Sequence, residues 1–268
     1  MDTIATDLYR SRAPSPAAQS FYGGQPRQSP LPPVAGRARQ IGTLAPRALA
    51  IVACLAAALW APQARAQTIT DLGTLPGGTQ SVAFGINASG QVVGSSATAP
   101  SATHAFLYSG GSMIDLGTLP GGSSSQANGI NASGQVVGFS SPVTSVPHAF
   151  LYSGGIMTDL GTLPGDAQSG ASAINDSGQV VGYSSLTGGL PRAFLYSGGV
   201  MNDLGSLGGG DGSALAINAS GQIVGGSRTA SYIVHAFLYS GGAMNDLGAF
   251  GGNYSEATGI NDSDLTPL

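Results

Sequence analysis

Residues 104–122 read HAFLYSGGSMIDLGTLPGG, and the stretch returns at 148–165 as HAFLYSGGIMTDLGTLPG, at 192–210 as RAFLYSGGVMNDLGSLGGG and at 235–252 as HAFLYSGGAMNDLGAFGG. Its Asp-Leu-Gly recurs at Asp71, Asp115, Asp159, Asp203 and Asp246, at spacings of 44, 44, 44 and 43 residues. A period that regular decides the architecture before propensities are weighed. Two short apolar runs flank a Gly-Gly pair, which is the pattern of a β-hairpin. Upstream in the second copy, Ala127-Asn128-Gly129-Ile130-Asn131 and Gln135-Val136-Val137-Gly138-Phe139 flank the turn Ala132-Ser133-Gly134, giving a second hairpin.

Four strands in about 44 residues match one propeller blade; helical repeats of that length would need Leu- and Ala-rich runs that do not occur. The first strand alternates small residues (Ala83 and Gly85, Ala127 and Gly129, Ala171 and Ala173, Ala214 and Ala216) with a face holding Ile86, Ile130, Ile174 or Ile217. Small residues suit the crowded axis. Val92-Val93 and Phe106-Leu107-Tyr108 are apolar on both faces, as in sheets covered on both sides. The fourth strand turns polar at Thr158, Asn202 and Asn245 and reads as the outer edge. The expected fold is therefore all-β: a β-propeller-like array of four-stranded blades, with four full repeats plus a split partial fifth. A lone fourth strand at 68–73 and a lone first strand at 257–261 would supply that fifth blade, and a parallel β-solenoid or open array is the architectural alternative. After Ser263 the expected Gly-Gln-Val-Val gives way to Asp264-Leu265-Thr266-Pro267-Leu268, which reads as a repeat domain truncated at its C-terminus.

The chain has 268 residues, 42% apolar and 8% charged, with 43 glycines. That is enough apolar material for a core, which argues against disorder. Seven of the nine arginines (Arg10, Arg12, Arg27, Arg37, Arg39, Arg47 and Arg65) precede the repeats. Residues 67–268 keep Arg192 and Arg228 against eleven acids, a formal charge of −9, which disfavours nucleic acid as a partner. Residues 1–47 form a Pro-, Ser- and Arg-rich leader without apolar periodicity, expected to be disordered. Residues 48–66 combine a 14-residue apolar run, too short to span a membrane, with Ala64-Arg65-Ala66, the apolar and A-x-A parts of a signal peptide cleaved after Ala66. Cys54 lies in that run; Ile51-Val52-Ala53-Cys54 looks like a lipoprotein box but has too short an apolar lead. Residues 67–268 form the repeat domain, which lacks cysteine and so must hold by packing alone.

Candidate chemistry is sparse. His104, His148 and His235 occupy one repeat position, held by Arg192 in the third copy, so they read as structural residues on a ring rather than as a converging metal site. The five aspartates of Asp-Leu-Gly fall one per blade, not two per cleft, and read as caps of the following loop. Calcium lacks its usual loop and nonapeptide patterns. The N-x-S triplets at Asn87, Asn131, Asn175, Asn218, Asn253 and Asn261 are explained by turn chemistry more simply than by glycosylation. Gly208-Gly209-Gly210-Asp211-Gly212 is a loop, not a phosphate-binding motif. No nucleophile, base and orienting acid stand in a recognisable context. The reading assigns no catalytic, cofactor-binding or metal residue and no cofactor.

Gly-Ile-Asn-x-Ser-Gly-Gln-Val-Val-Gly, HAFLYSGG and Asp-Leu-Gly-Thr-Leu-Pro-Gly together make residues 68–262 resemble the HAF family of bacterial extracellular repeat proteins, named for His-Ala-Phe. The resemblance implies an exported or surface-associated repeat protein, and it brings no catalytic residue, ligand or cofactor with it. The sequence thus points to an exported, extracellular or periplasmic, non-enzymatic repeat protein, a binding, adhesion or structural scaffold. Its partner would be a glycan or another cell-surface component, met by the variable segments 95–103, 140–147, 184–191 and 226–234. A propeller enzyme acting on extracellular polysaccharide, a lyase or glycosidase, and a non-functional truncated gene product are the alternatives.

Overall fold

The computed structural model describes residues 69–99, 102–142 and 146–263, all within one compact unit, Thr68–Leu268. The readings for residues 1–47 and 48–66, including the cleavage site and Cys54, lie outside the described residues. Each repeat folds as one four-stranded antiparallel sheet with its strands in chain order. The first sheet is β1 (Ser81–Ile86), β2 (Val92–Ala99), β3 (Ala102–Ser109) and β4 (Ser112–Asp115). The second is β5 (Gly122–Ile130), β6 (Val136–Pro142), β7 (His148–Ser153) and β8 (Ile156–Gly161). The third is β9 (Gln168–Ile174), β10 (Val180–Ser185), β11 (Arg192–Ser197) and β12 (Val200–Asp203). The fourth is β13 (Gly208–Ile217), β14 (Ile223–Thr229), β15 (Val234–Ser240) and β16 (Ala243–Asp246).

The turns follow from their residues. Between β3 and β4, Gly110 and Gly111 take φ of 59° and 85°, a pair of left-handed residues that lets a two-residue hairpin follow the strand twist. Between the first and second strands an asparagine organises the turn: the Gln135 N–H donates to Asn131 Oδ1 at 2.9 Å, and the Gly134 N–H to the Asn131 carbonyl at 3.0 Å.

The core lies between sheets, not within them. Each sheet packs its first strand on the first three strands of the sheet before, which makes a propeller-like array of blades. At the first junction Val93, Ala105 and Leu116 meet Ala127, Val136 and Phe150, and the next two junctions repeat this with equivalent residues. Because every blade needs its neighbour to bury its apolar face, stability is shared along the array.

Buried serines tie the junctions together. Ser125 Oγ accepts the Ala105 N–H and donates to the Gly117 carbonyl, and Ser169 Oγ does the same with Ala149 and Gly161. Ser169→Ala would leave a buried N–H and a carbonyl unpaired across two blades. Urea unfolding should show a loss of about 1–3 kcal/mol.

Two expectations change in detail. The first variable segment, 95–103, is mostly strand, not loop: Ser95 pairs with Ala105, Ser96 with His104 and Ala97 with Thr103, so the ladder runs nearly to the hairpin tip, whereas in 184–191 the strand ends at Ser185 and the rest is turn and loop as expected. Alternating serine and small residues satisfy the ladder as well as the apolar positions do, which is why polar composition alone looked like a loop. Of the lone strands expected at 68–73 and 257–261, the described residues 69–73 and 257–261 form no ladder with each other or with another strand among the described residues. Residues 255–261 nonetheless lie on the fourth blade where a first strand would. The Ser255 N–H donates to the Val234 carbonyl at 2.9 Å, and Asn218 Nδ2 to the Asn261 carbonyl at 3.1 Å.

Candidate functional site

The three histidines lie near the start of the third strand of their blades, each beside an aspartate at or near the end of the fourth. Nδ1 donates to the carboxylate at 2.9 Å in His104 and Asp115, 2.8 Å in His148 and Asp159, and 2.9 Å in His235 and Asp246. Arg192 makes the same bridge to Asp203 at 2.9 Å. The aspartates also cap their loops as expected: Asp115, Asp159, Asp203 and Asp246 each accept the N–H of the glycine two residues on. Sequence reading found the caps and missed the bridges. The signal was present, since an N–H-donating side chain, histidine or arginine, stands eleven residues before each of these four aspartates.

The bridge acts on acidity. Asp246 is held below the ordinary carboxylate value of 3.8, first by the His235 hydrogen bond and then by the Gly248 N–H. A carboxylate whose folded-state value is depressed stabilises the fold above its unfolded value, and loses that contribution as the pH falls through the folded one. Asp246→Asn should therefore be less stable than wild type at neutral pH, and thermal melts should show the two converging as the pH drops below 3.8.

At the inner rim, asparagine side chains form a ladder from blade to blade. Nδ2 of Asn87 donates to the Asn131 carbonyl at 3.0 Å, Asn131 to Asn175 at 3.1 Å, and Asn175 to Asn218 at 3.1 Å. Each amide also donates to the glutamine four residues on. These asparagines, four of the N-x-S positions with Asn218, are thus engaged in structure. The turns surround a funnel of about 360 Å³, lined by isoleucine and asparagine and by Asp176 and Asp262. Both carboxylates accept a backbone N–H from the preceding turn, Ala132 and Ala219. One oxygen of each carboxylate is thus engaged in holding a turn.

The variable edge is different. In the third blade Arg192 reaches Asp166 at 2.9 Å as well as Asp203, and Asp166 also accepts the Ser184 hydroxyl. In the fourth, Gly226 stands where the two preceding blades carry Phe139 and Tyr183. The space left by the missing ring belongs to a cavity of about 170 Å³, walled by Asp211, Ser213, Arg228, Tyr254 and Glu256. Arg228 lies 3.2 Å from Asp211 Oδ2, whereas Asp211 Oδ1 is buried with no hydrogen-bond partner among the described residues. The Tyr254 hydroxyl donates to Glu256 at 3.2 Å, and the neighbouring carboxylate charge pushes the phenol's pKa up. The sequence reading had placed Asp211 in a plain loop. Only the fold shows it facing Arg228 across the ladder, 17 residues away. Among the described residues no cluster of three or more His, Cys, Asp or Glu is placed to hold a metal ion, and no helix is long and apolar enough to cross a membrane.

No family model and no curated protein matches the chain. Solved structures with a similar backbone include TolB from Acinetobacter baumannii (15% identity, TM-score 0.47), matched over 63% of this chain and 43% of that one. The β-propeller domain of the Trilobed protease from Pyrococcus furiosus is matched at 12% identity and TM-score 0.45, over 64% of this chain and 55% of that one. Pyrococcus horikoshii acylaminoacyl peptidase is matched at 14% identity and TM-score 0.44, over 63% of this chain and 27% of that one.

Proposed function

We propose that the chain is an exported, non-enzymatic repeat protein of the HAF type that binds a glycan or another hydroxyl-rich cell-surface component at its variable edge. The observation that carries this reading is the cavity beside Gly226. Where the second and third blades carry Phe139 and Tyr183, the first has Ser95 and the fourth Gly226, and in the fourth the gap is surrounded by Asp211, Arg228 and Glu256. A guanidinium and carboxylates of fixed position offer donors and acceptors to vicinal hydroxyls, and Tyr254 adds a largely exposed ring for the sugar's apolar face. The signal-peptide pattern before residue 67 supports export.

Full-length chain applied to a glycan array should give discrete hits, and Arg228→Ala and Glu256→Ala should each weaken them at least about tenfold, the loss of roughly one charge-assisted hydrogen bond. An array without hits, or hits indifferent to both variants, would count against the proposal. The enzymatic alternative has one observation in its favour, that Asp211 and Glu256 wall the same cavity. Release of reducing sugar or unsaturated product from a polysaccharide that scores on the array would select that reading.

A further inference from the structure

The cavity beside Gly226 carries a charge imbalance that the repeat frame does not supply elsewhere at the same positions. Ser255 holds the place of Ser169: its N–H donates to the Val234 carbonyl at 2.9 Å as Ser169 does to Pro147, and its Oγ accepts the Ala236 N–H at 2.8 Å as Ser169 does from Ala149. Tyr254 and Glu256 are therefore held in register against β15. The position after that serine is Gln126, Gly170 and Ser213 in the second to fourth copies, and becomes an acid only at Glu256.

Glu256 Oε1 lies 3.1 Å from where a Cβ on Gly226 would stand, so a carboxylate takes the side of Gly226 that a side chain would use. The cavity thus holds two carboxylates, Asp211 and Glu256, against one guanidinium, Arg228, an excess of one negative charge. Arg228 faces Asp211 Oδ2 at 3.2 Å, and the Asp211 side chain is only 9% exposed. Its Oδ1 is buried without a partner, an acceptor that is costly to leave unmet. Among the described residues Glu256 has no cationic partner and accepts only the Tyr254 hydroxyl, through Oε2. The uncompensated charge is felt at Tyr254, whose phenol it pushes up in pKa.

We infer that the cavity selects a sugar carrying a free primary amine, a hexosamine unit bound as its ammonium, an inference that rests on the glycan reading of this cavity. An ammonium brings three donors and one positive charge, which match the open acceptors and the excess charge. An N-acetyl group brings one donor and no charge, and a sugar carboxylate or sulfate brings charge of the wrong sign. At about 170 Å³ the cavity is smaller than the roughly 300 Å³ at which drug-sized sites begin, so one sugar residue is recognised rather than a length of chain.

Calorimetric titration of the full chain with β-1,4-linked glucosamine disaccharide and with its N-acetylated counterpart, in slightly acidic buffer where the amine is protonated, tests this. Wild type should bind the amine form at least about tenfold more tightly. Glu256→Gln should bring the ratio close to one, and Gly226→Tyr, which returns an aromatic ring like that of Tyr183 to the position, should abolish binding of the amine form; both should keep the β-sheet circular dichroism of wild type. Because a repeat domain of formal charge −9 attracts any cation, the decisive result is the loss on removing this one charge. Equal or tighter binding of the N-acetylated form, or a preference that survives both variants, would overturn the inference. Array hits confined to neutral or acidic glycans and sensitive to Arg228→Ala would overturn it while leaving the glycan reading intact, and an array without hits would remove both.

Discussion

Gly182→Ala should destabilise the chain by about 3 kcal/mol or more, the cost of forcing atoms into a filled position. Gly182 is the third residue of Val180-Val181-Gly182 on β10, and it faces a β-bulge: Val181 pairs with Ala173 but Gly182 with Ala171, leaving Ser172 unpaired. The bulge drives the β9 backbone toward β10, and a Cβ at Gly182 would overlap the Gly170 carbonyl oxygen. Neither partner can step aside, since the obstacle is main chain in the middle of a ladder. The same geometry recurs at Gly94, Gly138 and Gly225, where the added atom would meet the carbonyls of Val82, Gln126 and Ser213. By contrast, glycines such as Gly154 and Gly155 have open space around them and are required only for their φ of 59° and 88°. Gly155→Ala should therefore cost less, about 1 kcal/mol. Paired urea titrations of the two variants check the ranking.

That ranking also shows where the sequence speaks and where it is silent. The strands, their order and the glycine turns were legible because each rests on local chemistry: a Gly-Gly pair allows few turns, and an apolar run between turns has few other uses. The glycine of Val-Val-Gly was not legible as a bulge contact, since only the register against the first strand brings the Gly170 carbonyl to it. The cross-strand bridges from His104, His148, Arg192 and His235 were hidden for the same reason, and become obvious once the third and fourth strands are paired. The variable edge misled in the opposite direction. Serine- and alanine-rich residues 95–103 suggested a loop, whereas backbone pairing with the neighbouring strand is enough to hold most of them as ladder. The cavity at Gly226 was least legible of all, because it consists of a side chain that is missing relative to Phe139 and Tyr183, and a gap acquires walls only when blades are stacked.

Stacking also sets the second large effect. Phe150→Ala should cost about 3–5 kcal/mol, the range for deleting a buried aromatic ring. The ring is fully buried at the junction of the first two blades, where it packs with Val93, Ala105, Leu116 and Val136. It serves the junction rather than its own sheet: β7 keeps its ladder partners Gly138 and Asp159 whether or not the ring is present. The void therefore weakens the attachment of the first blade more than the integrity of the second. In an array held by nearest-neighbour contacts, such a loss is felt first beyond the broken junction. Amide exchange should accordingly accelerate in β1–β4 more than in β9–β16, whereas Phe194→Ala, at the next junction, should speed exchange in both the first and second blades. Equal acceleration across all four blades in both variants would mean that the array unfolds as one unit, and that the junctions are not separable sources of stability.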